Sequence, residues 1–207
     1  MTGIMNKMYR TEAPQWLADN WESWGREWKQ LYDTQKNSSR FRWRSSNGKG
    51  KNELTDALNQ LTKRHCSFCD AYPMGSRIQN TIEHFRPKTK FPLLAFHWEN
   101  LFICCQRCQE KGDAFTDLLL KPDEETYNFD AYFEIDWSTG EIKPNGLSSA
   151  EMQQRAITTI ELYKFNKHGK PEDRLEELAK YLDSRNPDIN KFPYRFFLER
   201  GSFTSDD

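Results

Sequence analysis

Two Cys-x-x-Cys pairs, Cys66-Ser67-Phe68-Cys69 and Cys105-Gln106-Arg107-Cys108, stand 35 residues apart and constrain this chain more than any other feature. The two-residue gap lets both sulfurs of a pair turn toward one ion, and two such knuckles supply the four thiolates of a tetrahedral zinc site. A redox role needs a single pair in a different context. The spacing therefore predicts a structural Zn2+ on Cys66, Cys69, Cys105 and Cys108. Cys104 falls outside that spacing and reads as a packed side chain. Zinc held by four protein thiolates has no open position, so any chemistry must come from the segment that the ion closes into a loop.

The 207 residues suffice for one ordinary domain, or for a small module wrapped by extra helices. Only 36% of them are hydrophobic, yet 14% are aromatic, with seven Trp. Apolar area thus comes as a few large side chains, and a metal staple would help so thin a core. The net charge of -1 gives no bulk attraction to a polyanion, so any such partner must be held by local clusters. There is no run of 18 apolar residues to cross a membrane. The first residues lack the apolar core of a signal peptide. The reading is a cytoplasmic protein, where five cysteines are thiols or metal ligands rather than disulfides.

Along the chain, residues 14–33 read as a helix opened by Pro14, with Leu17, Trp21, Trp24, Trp28 and Leu31 on one face. That stripe reads as a packing surface before it reads as a base-stacking one. Residues 34–52 carry six Lys or Arg and no acid, and read as a loop. Within it Arg40, Phe41, Arg42, Trp43 and Arg44 alternate cation and aromatic. Such a segment suits phosphate and base contacts, and equally a solvated linker. A helix over about 53–64 follows, with Leu54, Leu58 and Leu61 on one face. Farther on, Tyr132 to Trp137, a Ser138-Thr139-Gly140 turn and Glu141-Ile142-Lys143 predict a hairpin. A capping box from Ser148 to Glu151 opens a helix to about 163, with Ile157, Ile160 and Tyr163 on one side. Pro171 starts another helix over 171–184, lined by Leu175, Leu178 and Leu182. Pro187 and Pro193 break the rest, and the end reads as a loose acidic tail.

Between the knuckles, Ile78, Asn80 and Ile82 alternate into Glu83 and His84, so a short strand ends in an acid and a histidine. Adjacent side chains there point to different sides, which lets one hold a metal and the other a water. A second short strand, Trp98 to Ile103, has Asn100 at its entrance. The second knuckle then opens a helix. The succession Cys66–Cys69, Glu83-His84-Phe85-Arg86-Pro87, Asn100-Leu101, Cys105–Cys108 and Lys111-Gly112 resembles the zinc-bound variant of the HNH, or ββα-metal, nuclease motif. Residues 82–88 (IEHFRPK) with the later Trp98-x-Asn100-Leu101 resemble a narrower group, the PtuB-like HNH proteins of Septu-type and retron-linked bacterial antiphage systems. The core likeness covers about 50 residues, and the stretch to Asn145 extends it to about 80.

The resemblance implies an α+β fold: a ββα-metal module with its four-cysteine zinc site at 53–117, an N-terminal helix and basic loop at 1–52, and a hairpin with C-terminal helices at 118–207. It implies His84 as general base and Asn100 as the brace of the loop that orients it. It also implies Glu83 and the residue after the last cysteine, here Gln109, as ligands of a catalytic Mg2+ or Mn2+. The family usually has His or Asn in that last position. A Gln amide oxygen can ligate a hard cation but is one methylene longer than Asn, and Glu110 and Asp113 stand nearby. The implied activity is phosphodiester hydrolysis of DNA or RNA in antiphage defence, with a PtuA-type ATPase as partner. Arg86 and Lys88 would steady flanking phosphates. The competing reading is a zinc-stapled adaptor that binds nucleic acid or the ATPase without cutting. A zinc-only transcription regulator would need a recognition helix, and the basic residues lie in a loop instead. His65 and His97 lack catalytic context, and His168 falls in a polar loop. The nuclease layout demands that Glu83, His84 and Gln109 share one patch and that the His84 ring reach solvent.

Overall fold

The computed structural model describes residues 7–45 and 50–203. The first six residues, residues 46–49 of the basic segment and the last four of the acidic tail lie outside the described residues.

The predicted first helix is two: α1 (Gln15–Ala18) and α2 (Trp21–Gln35). The chain turns at Asp19-Asn20, where the Asn20 amide donates to Trp16 O (2.8 Å), and helix resumes at Trp21. The Trp stripe is a packing surface. Trp28 is buried and donates through its indole N–H to Lys88 O (3.0 Å). Trp24 meets Phe96 edge-on and Trp21 meets His97. Gly25 permits this approach, since a Cβ there would stand 2.5 Å from Leu93 O.

α3 (Gly50–Thr62) begins earlier than its apolar spacing predicts, and Leu54 and Leu58 bury its inner face. The centre of the molecule is an antiparallel pair, β1 (Asn80–His84) and β2 (Leu101–Cys105), in the register Asn80–Cys105, Ile82–Ile103, His84–Leu101. Every residue of β2 is buried. α4 (Gln106–Gln109) follows β2 directly. The chain then runs irregularly to α5 (Phe129–Tyr132) and a second hairpin of β3 (Phe133–Asp136) and β4 (Glu141–Pro144). The hairpin turns at Ser138 to Gly140, as its residues predict; Gly140 supplies the left-handed φ of 76°.

α6 (Ala150–Leu162) starts one residue later than the capping box suggests: Ser149 is the cap, accepting from Met152 N, while the Ser148 hydroxyl donates to Ala131 O. Tyr163 is buried but Ile157 is exposed, so only part of the predicted apolar side faces inward. α7 (Lys170–Asp183) starts at Lys170 and leaves Leu182 exposed. A last helix, α8 (Arg195–Phe203), is absent from the sequence-based reading. The two prolines hid it, although Phe196, Phe197 and Leu198 are fully buried in it. Arg195 anchors it through an ion pair to Asp70 (2.6 Å), in the turn after the first knuckle.

The fold is thus mixed α+β, with two small two-stranded sheets among helices. One hydrophobic cluster runs from Met8 through the knuckles to Phe197. Among the described residues, no helix is long and apolar enough to cross a membrane.

Candidate metal centre and the residues beside it

The four predicted cysteines converge. The Sγ atoms of Cys66, Cys69, Cys105 and Cys108 all lie within 4.8 Å of one another and all four residues are buried. Cys69 and Cys105 sulfurs are 3.7 Å apart. Four Zn–S bonds of about 2.3 Å would set tetrahedral sulfurs ~3.8 Å apart, so the set fits a zinc-sized ion. The first knuckle is a tight turn in which Asp70 N donates to Cys66 O (3.0 Å), with Asp70 at a φ of 59°. Cys105 N donates to Cys66 Sγ (3.4 Å), joining the knuckles through the backbone. Cys105 ends β2, and α4 carries Cys108 onto the same side. Burial pushes the Cys66 and Cys108 thiols well above their ordinary value, so four thiolates here need a cation. Cys104 points to the other face of β2, where its sulfur lies 3.2 Å from Thr81 Oγ1.

Glu83 shares that other face with Thr81, Phe102 and Cys104, by strand register. Its carboxylate accepts a hydrogen bond from the Gln109 amide, which reaches back from the end of α4. Lys111 Nζ lies 2.7 Å from Glu83 Oε1, and both side chains are essentially sealed from solvent. Lys111 also donates to Ala114 O (3.1 Å) and Phe85 O (3.4 Å). Burial pushes the Glu83 carboxyl up to about 7 against the pull of Lys111. Glu110 turns away to His168 and Asp113 to Thr89, so Gln109 is the residue of the three that touches Glu83. A carboxylate and an amide oxygen are the hard donors that magnesium prefers. The Lys111 ammonium already balances the Glu83 charge and occupies one carboxylate oxygen, so an ion here would have to take its place. Sequence reasoning placed Lys111 only in a motif; its pairing with Glu83 joins the turn after α4 to β1, and Gly112 follows it in that turn at a φ of 54°.

His84 is on the opposite side of the strand end. Its Nε2–H donates to Ala95 O (2.9 Å), which leaves Nδ1 as the basic nitrogen. The residue is 7% exposed. Trp43 stacks on it nearly parallel, with centroids 5.1 Å apart, and Phe41 meets it edge-on at 5.4 Å. Burial pushes its pKa down to about 3, and the charge of Lys88 adds to the shift, so the imidazole is neutral at neutral pH. The basic segment is solvated in part, with residues 36–40 and Arg42 exposed, and in part a strap that lays Phe41 and Trp43 over His84. Arg44 is tied to Glu27 (2.6 Å).

Asn100 spans the loop between the strands. Its Oδ1 accepts from Arg86 N (2.7 Å) and its amide donates to Arg86 O and Leu94 O, both at 3.0 Å. The carbonyl next to Leu94, that of Ala95, is the one that holds His84. Arg86 lies over the Phe91 and Phe115 rings, and Lys88 over Phe41. Among the other histidines, His65 is fully buried between backbone carbonyls of Lys63 (2.8 Å) and Phe192 (2.9 Å). It is a structural side chain. The structure thus joins Glu83 to Gln109 but sets His84 on the opposite side of the strand end and buries it under Trp43 and Phe41, so the shared patch with a solvent-reaching imidazole that the nuclease layout demands is not formed in this arrangement.

No family model matches the chain. Part of it is similar to the Septu protein PtuB of Bacillus thuringiensis. The two are 32% identical over 62 residues, which is 30% of this chain and 24% of that protein. The chain is related to that Septu protein over this stretch, and the match spans about a quarter of the relative's length.

Proposed function

We propose that this chain is an HNH-type nuclease that hydrolyses nucleic-acid phosphodiester bonds in antiphage defence, with a structural zinc on its four cysteines. The contact between Glu83 on β1 and Gln109 on α4, across 26 residues, carries the reading. It sets Gln109 against Glu83 through the amide N–H, with the amide oxygen toward Cys104 Sγ (3.7 Å), so holding an ion there takes a turn of the amide that brings its oxygen beside the carboxylate, next to a strand end whose following residue is a neutral histidine. The partial similarity to a Septu protein supports the defence role and a PtuA-type ATPase partner.

In this reading His84 Nδ1 takes a proton from the attacking water, because its Nε2–H is committed to Ala95. Asn100 positions the ring by fixing the carbonyls of the following loop. Glu83 and Gln109 would hold a magnesium or manganese ion, which supplies charge neutralisation at the phosphate. Lys88 and Arg86 supply flanking positive charge for DNA or RNA backbone, which is read without base specificity. Reaching His84 requires Trp43 and Phe41 to move aside, so the described arrangement is a closed one.

The burial of both His84 and Glu83, each satisfied within the protein, favours a second reading: a zinc-stapled adaptor that binds nucleic acid or the ATPase without cutting. One experiment separates the two. Purified protein, alone and with its ATPase, is incubated with plasmid and RNA and either divalent cation, beside His84→Ala. Cleavage that the substitution abolishes is the expected result; identical, cleavage-free lanes for both proteins would establish the adaptor.

A further inference from the structure

α7 opens with Lys170 and carries Arg174 one turn later, so both project from the same side of the helix. Both are deeply buried, at 2% and 0% exposure. Among the described residues neither forms a contact ion pair with a carboxylate, and Asp173 between them is exposed. Lys170 Nζ donates to the carbonyls of Tyr163 (3.1 Å) and Lys164 (2.9 Å) and lies 3.9 Å from Cys108 Sγ. Arg174 donates to the carbonyls of Gly140 (2.9 Å) and Phe165 (2.6 Å), while its Nε is buried with no hydrogen-bond partner. Carbonyls satisfy N–H groups but carry no net charge. A buried cation without a counter-charge is strongly destabilising, and here there are two buried cations with no carboxylate partner.

An anion lies alongside the first of them: Lys170 Nζ is 3.9 Å from Cys108 Sγ, and Arg174 follows one helical turn on. Four thiolates around one divalent ion carry a net charge of −2, which two cations would balance. Capping of the carbonyls that follow α6 accounts for the hydrogen bonds of Lys170 and one of those of Arg174, whose guanidinium also lies over the Tyr194 and Phe196 rings, but it supplies no anion to either cation. We propose that Lys170 and Arg174 are the counter-charges of the tetrathiolate centre, so that bound metal and the docking of α7 stabilise each other. The charge complement acts outside the ligand shell, as hydrogen-bonded neighbours of metal ligands do elsewhere. This rests on the reading that the four thiols hold a divalent ion.

The test compares full-length, zinc-loaded wild type with Lys170→Met, Lys170→Arg, Arg174→Gln and Arg174→Lys, by competition against a chromophoric zinc chelator. Removing either charge is expected to weaken zinc at least ten-fold, and keeping it (K170R, R174K) to hold affinity within three-fold. Thermal melting of the same samples separates packing from charge. Lower melting temperatures with unchanged zinc affinity in both neutral variants would overturn the proposal. If Lys170→Met does not fold, the Arg174 pair decides. A wild type that binds no zinc would instead remove the reading on which the proposal rests.

Discussion

The Trp43 indole and the His84 imidazole lie face to face, 5.1 Å between centroids and 4° from parallel. A residue of the basic segment thus closes over one face of the proposed base. Trp43→Ala is expected to speed modification of His84 by diethyl pyrocarbonate at least five-fold, read by peptide mass spectrometry. Because Trp43 is half-buried, the loss of stability should be roughly 2 kcal/mol, below the range for a fully buried aromatic. Cleavage per molecule should rise in the same variant. Unchanged modification would mean that the strap is not what shields the ring.

The metal quartet predicts its own selectivity. Elemental analysis should give about one zinc per chain, and chelation should collapse the centre, seen as lost near-ultraviolet dichroism. Cys66→Ser should lose zinc and stability together. Cys104→Ser, on the other face of β2, should keep its zinc; a Cys104→Ser protein without zinc would redraw the ligand set.

Lys111 and Glu83 form a sealed ion pair at 2.7 Å. Lys111→Met leaves the carboxylate unpaired in a buried place, and the loss expected from denaturant unfolding is about 3–5 kcal/mol. Adding Glu83→Gln to Lys111→Met should recover at least ~1 kcal/mol of it, since the double variant buries no unpaired charge. Additive losses in the double-mutant cycle would show that the two are not coupled.

Asn100 satisfies one backbone donor and two backbone acceptors of the loop after His84. Asn100→Ala should cost about 1–3 kcal/mol, the penalty for leaving such buried groups unpaired. It should also lower cleavage at least ten-fold below what the remaining folded protein predicts, by releasing the carbonyl arrangement that holds the imidazole. Cleavage per folded molecule equal to wild type would reduce Asn100 to a structural role.

Much of the site was legible along the chain because its chemistry is short-range. The two knuckles, the acid–histidine pair at the end of an alternating strand, and the Asn that opens the next strand each fit within a few residues, where spacing and alternation dictate geometry. The hairpin at Gly140 and the helices α3, α6 and α7 were readable for the same reason, to within a few residues at their starts. What escaped were contacts between distant parts of the chain. Whether the Trp stripe packs or stacks, and whether the basic segment is solvated, depends on which surface each meets.

By itself the sequence determined which four thiols can meet one ion and which side chains lie at the strand end, since local backbone geometry decides both. Tertiary structure alone decided that His84 is covered by Trp43, that Lys111 neutralises Glu83, and that two cations of α7 are buried, with Lys170 Nζ 3.9 Å from Cys108 Sγ. Those facts are made by packing across 28 residues for Lys111 and Glu83 and 62 for Lys170 and Cys108. Burial and compensation of charge are properties of the assembled interior, and no periodicity along the chain encodes them.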